Sequence, residues 1–143
     1  MGAALDFPEL WSLVMAQCAT IGGSMKSTGS MPISGDVVAL DLGLPEGRGA
    51  GFRHPAIVVT AQRILDTGPS VVHVVPLTTT LRAFNSEVMV EPDVANGLGE
   101  RSAAQCQHIR SISPTRILTT RGNVGALTLG RLRDTIALIL DLP

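Results

Sequence analysis

Tyrosine is absent from this 143-residue chain, and its aromatic side chains are four: Phe7, Trp11, Phe52 and Phe84. A sheet face that holds single-stranded nucleic acid by stacking bases on rings cannot be built from so few. Any such contact must rest on other groups. Charge is scarce as well: charged residues make up 16% of the chain, against about 25% in an average soluble protein. The exposed surface is then unusually apolar or partly covered by a partner, and a homo-oligomer is expected. A formal net charge of −1 excludes a strongly basic nucleic-acid coat. The two cysteines, Cys18 and Cys106, lie far apart and in no CxxC or Cys/His spacing, which argues against structural zinc and against a disulfide framework. No cation precedes Lys26, so the basic start of a secretory signal is missing. No apolar run approaches the ~20 residues of a membrane span. The expected location is cytoplasmic, without metal, other cofactor or membrane association.

What the chain does have is apolar content, 45% of its residues, enough at this length to fill one core. Residues 6–19 read as a short amphipathic helix with Asp6 as N-cap, Pro8 in the first turn and Glu9 at the capping-box position. Residues 20–34 turn to Gly, Ser, Thr and Met, which is linker chemistry. The expected division is an N-terminal helix and linker over 1–33 and a folded domain over 34–143. Short apolar or alternating runs over 36–42, 55–60, 70–76, 86–91 and 102–112 read as five strands. Residues 128–142 place Leu129, Leu132, Ile136, Ile139 and Leu140 at helical spacing behind Thr128 as cap. Several short strands closed by a helix predict a mainly β (α+β) fold: a small, SH3-like antiparallel half-barrel with a C-terminal helix, plus the extra N-terminal helix.

Charge is unevenly spread. Residues 1–46 hold five acids against Lys26, and residues 47–143 hold ten arginines against seven acids, so the halves carry −4 and +3. Three segments of the positive part gather chemistry. The loop from Pro45 to Pro55 carries Glu46, Arg48, Arg53 and His54 among glycines that let the backbone approach a ligand closely. It has no phosphate-loop pattern. Residues 76–82 offer Thr78, Thr79 and Thr80 beside Arg82. A hydroxyl donor and an arginine opposite an Arg/His loop supply what phosphodiester cleavage requires: charge stabilisation at phosphorus and a proton acceptor near the nucleophile. In the third segment, 105–110, strand alternation predicts Gln105, Gln107 and Ile109 on one face and Cys106, His108 and Arg110 on the other. His73, between valines, is expected to face the core or an interface and is given no role.

The order of these groups resembles the MazF/PemK toxin family: Gly35-Asp36-Val37-Val38 opening the domain, a Gly-rich loop ending in residues 53–59, then 74–80, Glu87-Val88, 107–112 and a Leu-rich terminal helix. The resemblance covers residues 35–142. It implies a small curved β-barrel flanked by helices, a symmetric homodimer, metal-independent endoribonuclease activity on single-stranded RNA, and a cognate antitoxin. Cleavage in such toxins looks like attack of the ribose 2′-hydroxyl on the adjacent phosphorus, leaving a 2′,3′-cyclic phosphate and a 5′-hydroxyl. The family's catalytic arginine falls on His54, with Arg53 one place earlier. Either the loop shifts so that Arg53 supplies the guanidinium, or His54 transfers the proton with Arg53 as phosphate clamp. The family's active-site threonine matches Thr78. Members with an Arg-x-Asp arrangement in the fifth strand have Gln105 and Gln107 at those places here. The resemblance therefore implies Arg53, His54 and Thr78 as the cleavage centre and Arg48, Thr79, Arg82, Phe84 and Gln107 as RNA contacts. A contrasting reading keeps the barrel as a non-catalytic module, a gyrase poison or an inert regulator. Residues 1–33 have no counterpart in the resemblance; they are either a docking helix or the product of an upstream start codon.

Overall fold

The computed structural model describes residues 30–43 and 53–143. The expected helix over 6–19 and most of the Gly-rich loop, Arg48 included, lie outside the described residues. The elements in chain order are β1 (Asp36–Asp41), β2 (Arg53–Val58), α1 (Gln62–Leu65), β3 (Val72–Thr78), β4 (Glu87–Val90), β5 (Ser102–Gln105), β6 (Arg110–Ile112), β7 (Ile117–Asn123) and α2 (Gly125–Ile139). They form one antiparallel sheet in the order β4-β5-β3-β2-β1-β7, with β6 also pairing to β3. This is the expected antiparallel architecture with its C-terminal helix.

Two features curl the sheet. Register shifts in the β1–β7 ladder, at Val37/Val38 and Ala39/Leu40, add local twist in the way bulges do. In the middle, one edge of β3 is shared: Val72–Val74 pair with β6 and Leu77–Thr78 with β5. The expected single strand over 102–112 is in fact two short strands separated by a 3-10 turn at Cys106–His108. Leaving extended geometry there allows both pieces to lie against β3.

Period-two alternation in β1, β2 and β3 gives each sheet face its own core. One face buries Val37, Ile57, Val75, Leu77, Val88, Ala104 and Cys106 beneath Leu129 and Leu132 of α2. The other buries Val38, Leu40, Ala56, Val58, Val72, Val74 and Ile112 around Leu65 of α1. Leu129 and Leu132 of α2 pack on the first face, and Leu65 of α1 packs on the second. Arg133 fixes α2 in place by donating to the Ser34 hydroxyl at 2.7 Å and to the carbonyls of Val59 and Thr60. Leu132 is fully buried, and its truncation to alanine is expected to cost about 2–5 kcal/mol, read as a lower urea midpoint at unchanged slope.

Three further differences from the sequence reading have local causes. The terminal helix starts at Gly125 instead of Thr128, because the Asn123 side chain accepts from the Gly125 amide at 2.8 Å and caps it earlier. His73 is exposed, opposite Ser111 of β6, and does not face the core; the interface alternative is untouched by this. β7 was unforeseen because its middle residues, Leu118 to Arg121, are all exposed and show no burial alternation.

Candidate functional site

Among the described residues, the second sheet face carries a hollow of about 490 Å³. Its apolar floor is Leu40, Leu42, Val74 and Pro76, and its polar rim is His54, Gln105, His108 and Arg110. Four stretches of chain, 40–42, 54, 74–76 and 105–110, bring these residues together, and their faces follow from register. Leu40 pairs with His54, Ala56 with Pro76, and Val74 with Arg110. Carried two residues beyond Ala56–Pro76, the β2–β3 register sets His54 opposite Thr78.

His54 is half-buried. Burial, and then the positive charge of Arg110, hold its imidazole below the usual pKa of 6.5, opposed by a hydrogen bond to the Leu77 backbone. The ring is therefore predominantly neutral at pH 7, the form that accepts a proton. Thr78 is half-buried, and its Oγ1 accepts from the Thr80 amide at 3.1 Å. That bond uses an oxygen lone pair and leaves the hydroxyl hydrogen to donate elsewhere. Arg53 is exposed at the start of β2, opposite Asp41 in the register. As the immediate neighbour of His54 in a strand it projects to the other side, and it does not line the hollow.

The 3-10 turn accounts for what strand alternation missed. The backbone leaves extended geometry at Gln105 (φ −86°, ψ 81°), and the phase is reset across the turn. Gln105, His108 and Arg110 consequently reach the same hollow, although alternation separates Gln105 from the other two. Cys106 turns into the core, fully buried; burial, reinforced by the Glu87 charge, pushes its thiol up to about 11. It is a packing residue rather than a nucleophile.

Beside the hollow lies a second cluster. The Glu87 side chain is 1% exposed, and its Oε2 accepts from Gln107 Nε2 at 2.9 Å, Arg82 at 3.2 Å and Gln105 Nε2 at 3.3 Å. Burial works to raise the Glu87 pKa, but the bonds from Gln107, Gln105 and Arg82 outweigh it and hold the carboxyl below its ordinary value. Arg82 also sits 5.0 Å from the centre of the exposed Phe84 ring. Of the residues expected to hold RNA, Arg82 and Gln107 are thus engaged by Glu87, while Thr79 and Phe84 are exposed. The arginine beside His54 is Arg110, a residue that sequence reasoning noted and gave no role. The only signal for it was a turn inside an apparently continuous strand.

Comparison with known proteins follows the same outline. A family model described as "PemK-like, MazF-like toxin of type II toxin-antitoxin system" matches residues 33–140. Endoribonuclease MazF9 of Mycobacterium tuberculosis is 33% identical over 113 residues, covering 76% of this chain and 95% of the relative. Among solved structures, the Mycobacterium tuberculosis toxin MazF-mt6 superposes with a TM-score of 0.61 at 23% identity, over 76% of this chain and 98% of that one. A MazE-MazF crystal structure from Deinococcus radiodurans superposes with a TM-score of 0.64 at 19% identity, over 80% of this chain and 100% of that one. At such identities these two structures attest the fold.

Proposed function

This chain belongs to the PemK-like, MazF-like toxin family of type II toxin-antitoxin systems, and from that premise we propose that it is an endoribonuclease that cleaves single-stranded RNA without a metal ion and is restrained by a cognate antitoxin. The observation that carries the reading is the half-buried imidazole of His54 in the hollow, its pKa depressed, with Arg110 beside it; Thr78 is not among the residues that line the hollow and comes opposite His54 only by extension of the β2–β3 ladder. A neutral imidazole takes the proton of a ribose 2′-hydroxyl. The 2′-oxygen then bonds to the adjacent phosphorus as the bond from phosphorus to the 5′-oxygen breaks, and the leaving 5′-oxygen takes up a proton. The products are a 2′,3′-cyclic phosphate and a 5′-hydroxyl. The Arg110 guanidinium and the Thr78 hydroxyl stabilise the charge that gathers on the non-bridging oxygens. In this assignment His54 carries the proton and Arg110, rather than Arg53, faces the phosphate. Arg53 contributes to the positive approach.

A homodimer and an antitoxin partner suit the surface. Leu127 and Leu138 of α2 are 82% and 78% exposed, with Leu140 and Leu142 exposed beyond its end, a concentration of apolar side chains that favours association. One of the superposing structures is itself a MazE-MazF complex. Among the described residues no helix is long and apolar enough to cross a membrane.

Incubation of purified protein with a long unstructured RNA is expected to yield discrete fragments bearing 5′-hydroxyl and 2′,3′-cyclic phosphate ends, at the same rate with and without EDTA. Intact RNA, with gyrase inhibited instead, would transfer the barrel to the non-catalytic reading. Fragments formed only with added divalent metal would remove the metal-independent mechanism.

A further inference from the structure

The rim of the hollow carries one polar group whose orientation is fixed by its neighbours. Gln105 and Glu87 are cross-strand partners in the β4–β5 ladder, and their side chains meet on the open face, Gln105 Nε2 to Glu87 Oε2 at 3.3 Å. The same carboxylate oxygen receives the Arg82 guanidinium and Gln107 Nε2. An oxygen held by a guanidinium acts only as an acceptor, so an amide facing it must present nitrogen. The corner is also short of donors: Glu87 Oε1 and Gln107 Oε1 are buried without a hydrogen-bond partner. Turning either amide over would remove a donor where acceptors already outnumber them, at the cost of leaving a further buried polar atom unpaired. The nitrogens of both glutamines stay turned towards Glu87. For Gln105, which also lines the hollow, the carbonyl oxygen Oε1 is the acceptor that remains for a ligand.

We propose that Gln105 reads one base of the RNA by accepting a hydrogen bond from the amino group at C6 of adenine or C4 of cytosine, the place where hypoxanthine, guanine and uracil carry a keto oxygen, so that the hollow selects an amino over a keto group at that position, with Glu87 as the positioning residue that locks the amide. The proposal rests on the endoribonuclease reading and adds to it the substrate's base class. The floor suits a flat apolar ring: Val74 and Pro76 lie beneath the rim, and the space of about 490 Å³ is ample for one base. With no aromatic side chain among the described residues that line it, recognition rests on the edge contact more than on stacking. A keto oxygen in place of the amino group would face Oε1 acceptor to acceptor, which costs a hydrogen bond and adds repulsion.

The test uses short RNAs blocked at the cleavage position by 2′-O-methylation, so that binding is read without turnover. Each preferred adenine is replaced by hypoxanthine and each cytosine by uracil, exchanging amino for keto with little change in shape. The expected result is a Kd about tenfold weaker for the keto analogue at one position, the worth of one discriminating hydrogen bond. That ratio is expected to fall towards one in Gln105→Leu and in Glu87→Gln, whose carboxamide no longer dictates which way Gln105 faces. Should Glu87→Gln fail to fold, Gln105→Leu gives the same readout. Loss of overall affinity with the ratio unchanged in Gln105→Leu would overturn the proposal, as would equal binding of amino and keto analogues by the intact protein. Cleavage of unblocked RNA measured alongside separates the two levels: turnover without amino selectivity rejects the base reading alone, and no binding of any RNA rejects both.

Discussion

Alanine at His54 is expected to slow RNA cleavage by ~10²–10⁴-fold, the usual worth of a positioned general acid–base, while leaving the fold intact. The half-buried side chain lines the hollow, beyond the buried Ala56 and Val58 of its own strand, so its removal widens a space that already exists instead of opening a cavity in the core. Its loss should appear in kcat rather than KM, because the proton moves in the transition state and the imidazole adds little to ground-state binding. Single-turnover cleavage of a labelled RNA at saturating protein reads this directly. Histidine differs here from a guanidinium in one decisive respect: it changes protonation state near neutral pH, so the rate should depend on pH as it would not if an arginine did the work. Rate constants within threefold of the intact protein would remove His54 from the reaction.

Arg110→Ala is expected to cost ~10²–10³-fold in kcat, comparable to losing one preorganised charge-stabilising donor, with a second effect that a simple binding residue would lack. The Arg110 charge is one of the causes that hold the His54 imidazole below its ordinary pKa, after burial itself. Removing the guanidinium relieves that part, and the midpoint of the rising pH limb should move upwards towards 6.5 while burial keeps it from arriving there. Arg53→Ala is the contrast. Its side chain projects away from the hollow, so a smaller loss is expected, seen mainly as weaker RNA binding that grows with ionic strength. A larger kcat effect at Arg53 than at Arg110 would reverse the assignment and restore the shifted-loop alternative.

The fold was legible where burial writes a pattern into sequence. β1 and β3 carry apolar runs because residues on both sheet faces are buried, β4 alternates because only Val88 and Val90 are, and α2 shows its helical period because Leu129 and Leu132 meet the sheet. β7 left no such mark: four consecutive residues are exposed on both sides of an edge strand. In the site, the resemblance named His54 and Thr78, and of these His54 lines the hollow while Thr78 lies outside its lining. Gln105 and Arg110 were not named as site residues, and the reason is a three-residue turn. Cys106 to His108 read as β from composition alone, yet β3 offers its edge to two separate partners, and only a break in extended geometry lets both pair. Arg82 and Gln107 were picked out by residue type as RNA contacts. Their engagement by the buried Glu87 carboxylate depends on cross-strand pairing that spacing along the chain does not encode.

Whether the hollow around His54 is where RNA is cut is tested most directly by the pH–rate profile of single-turnover cleavage in the intact protein and in His54→Ala. The account predicts a rising limb with its midpoint below 6.5 and a plateau at neutral pH in the intact protein, and the disappearance of that limb in the variant. Identical profiles in the two proteins, or a limb that lies above 6.5 and survives the substitution, would contradict it.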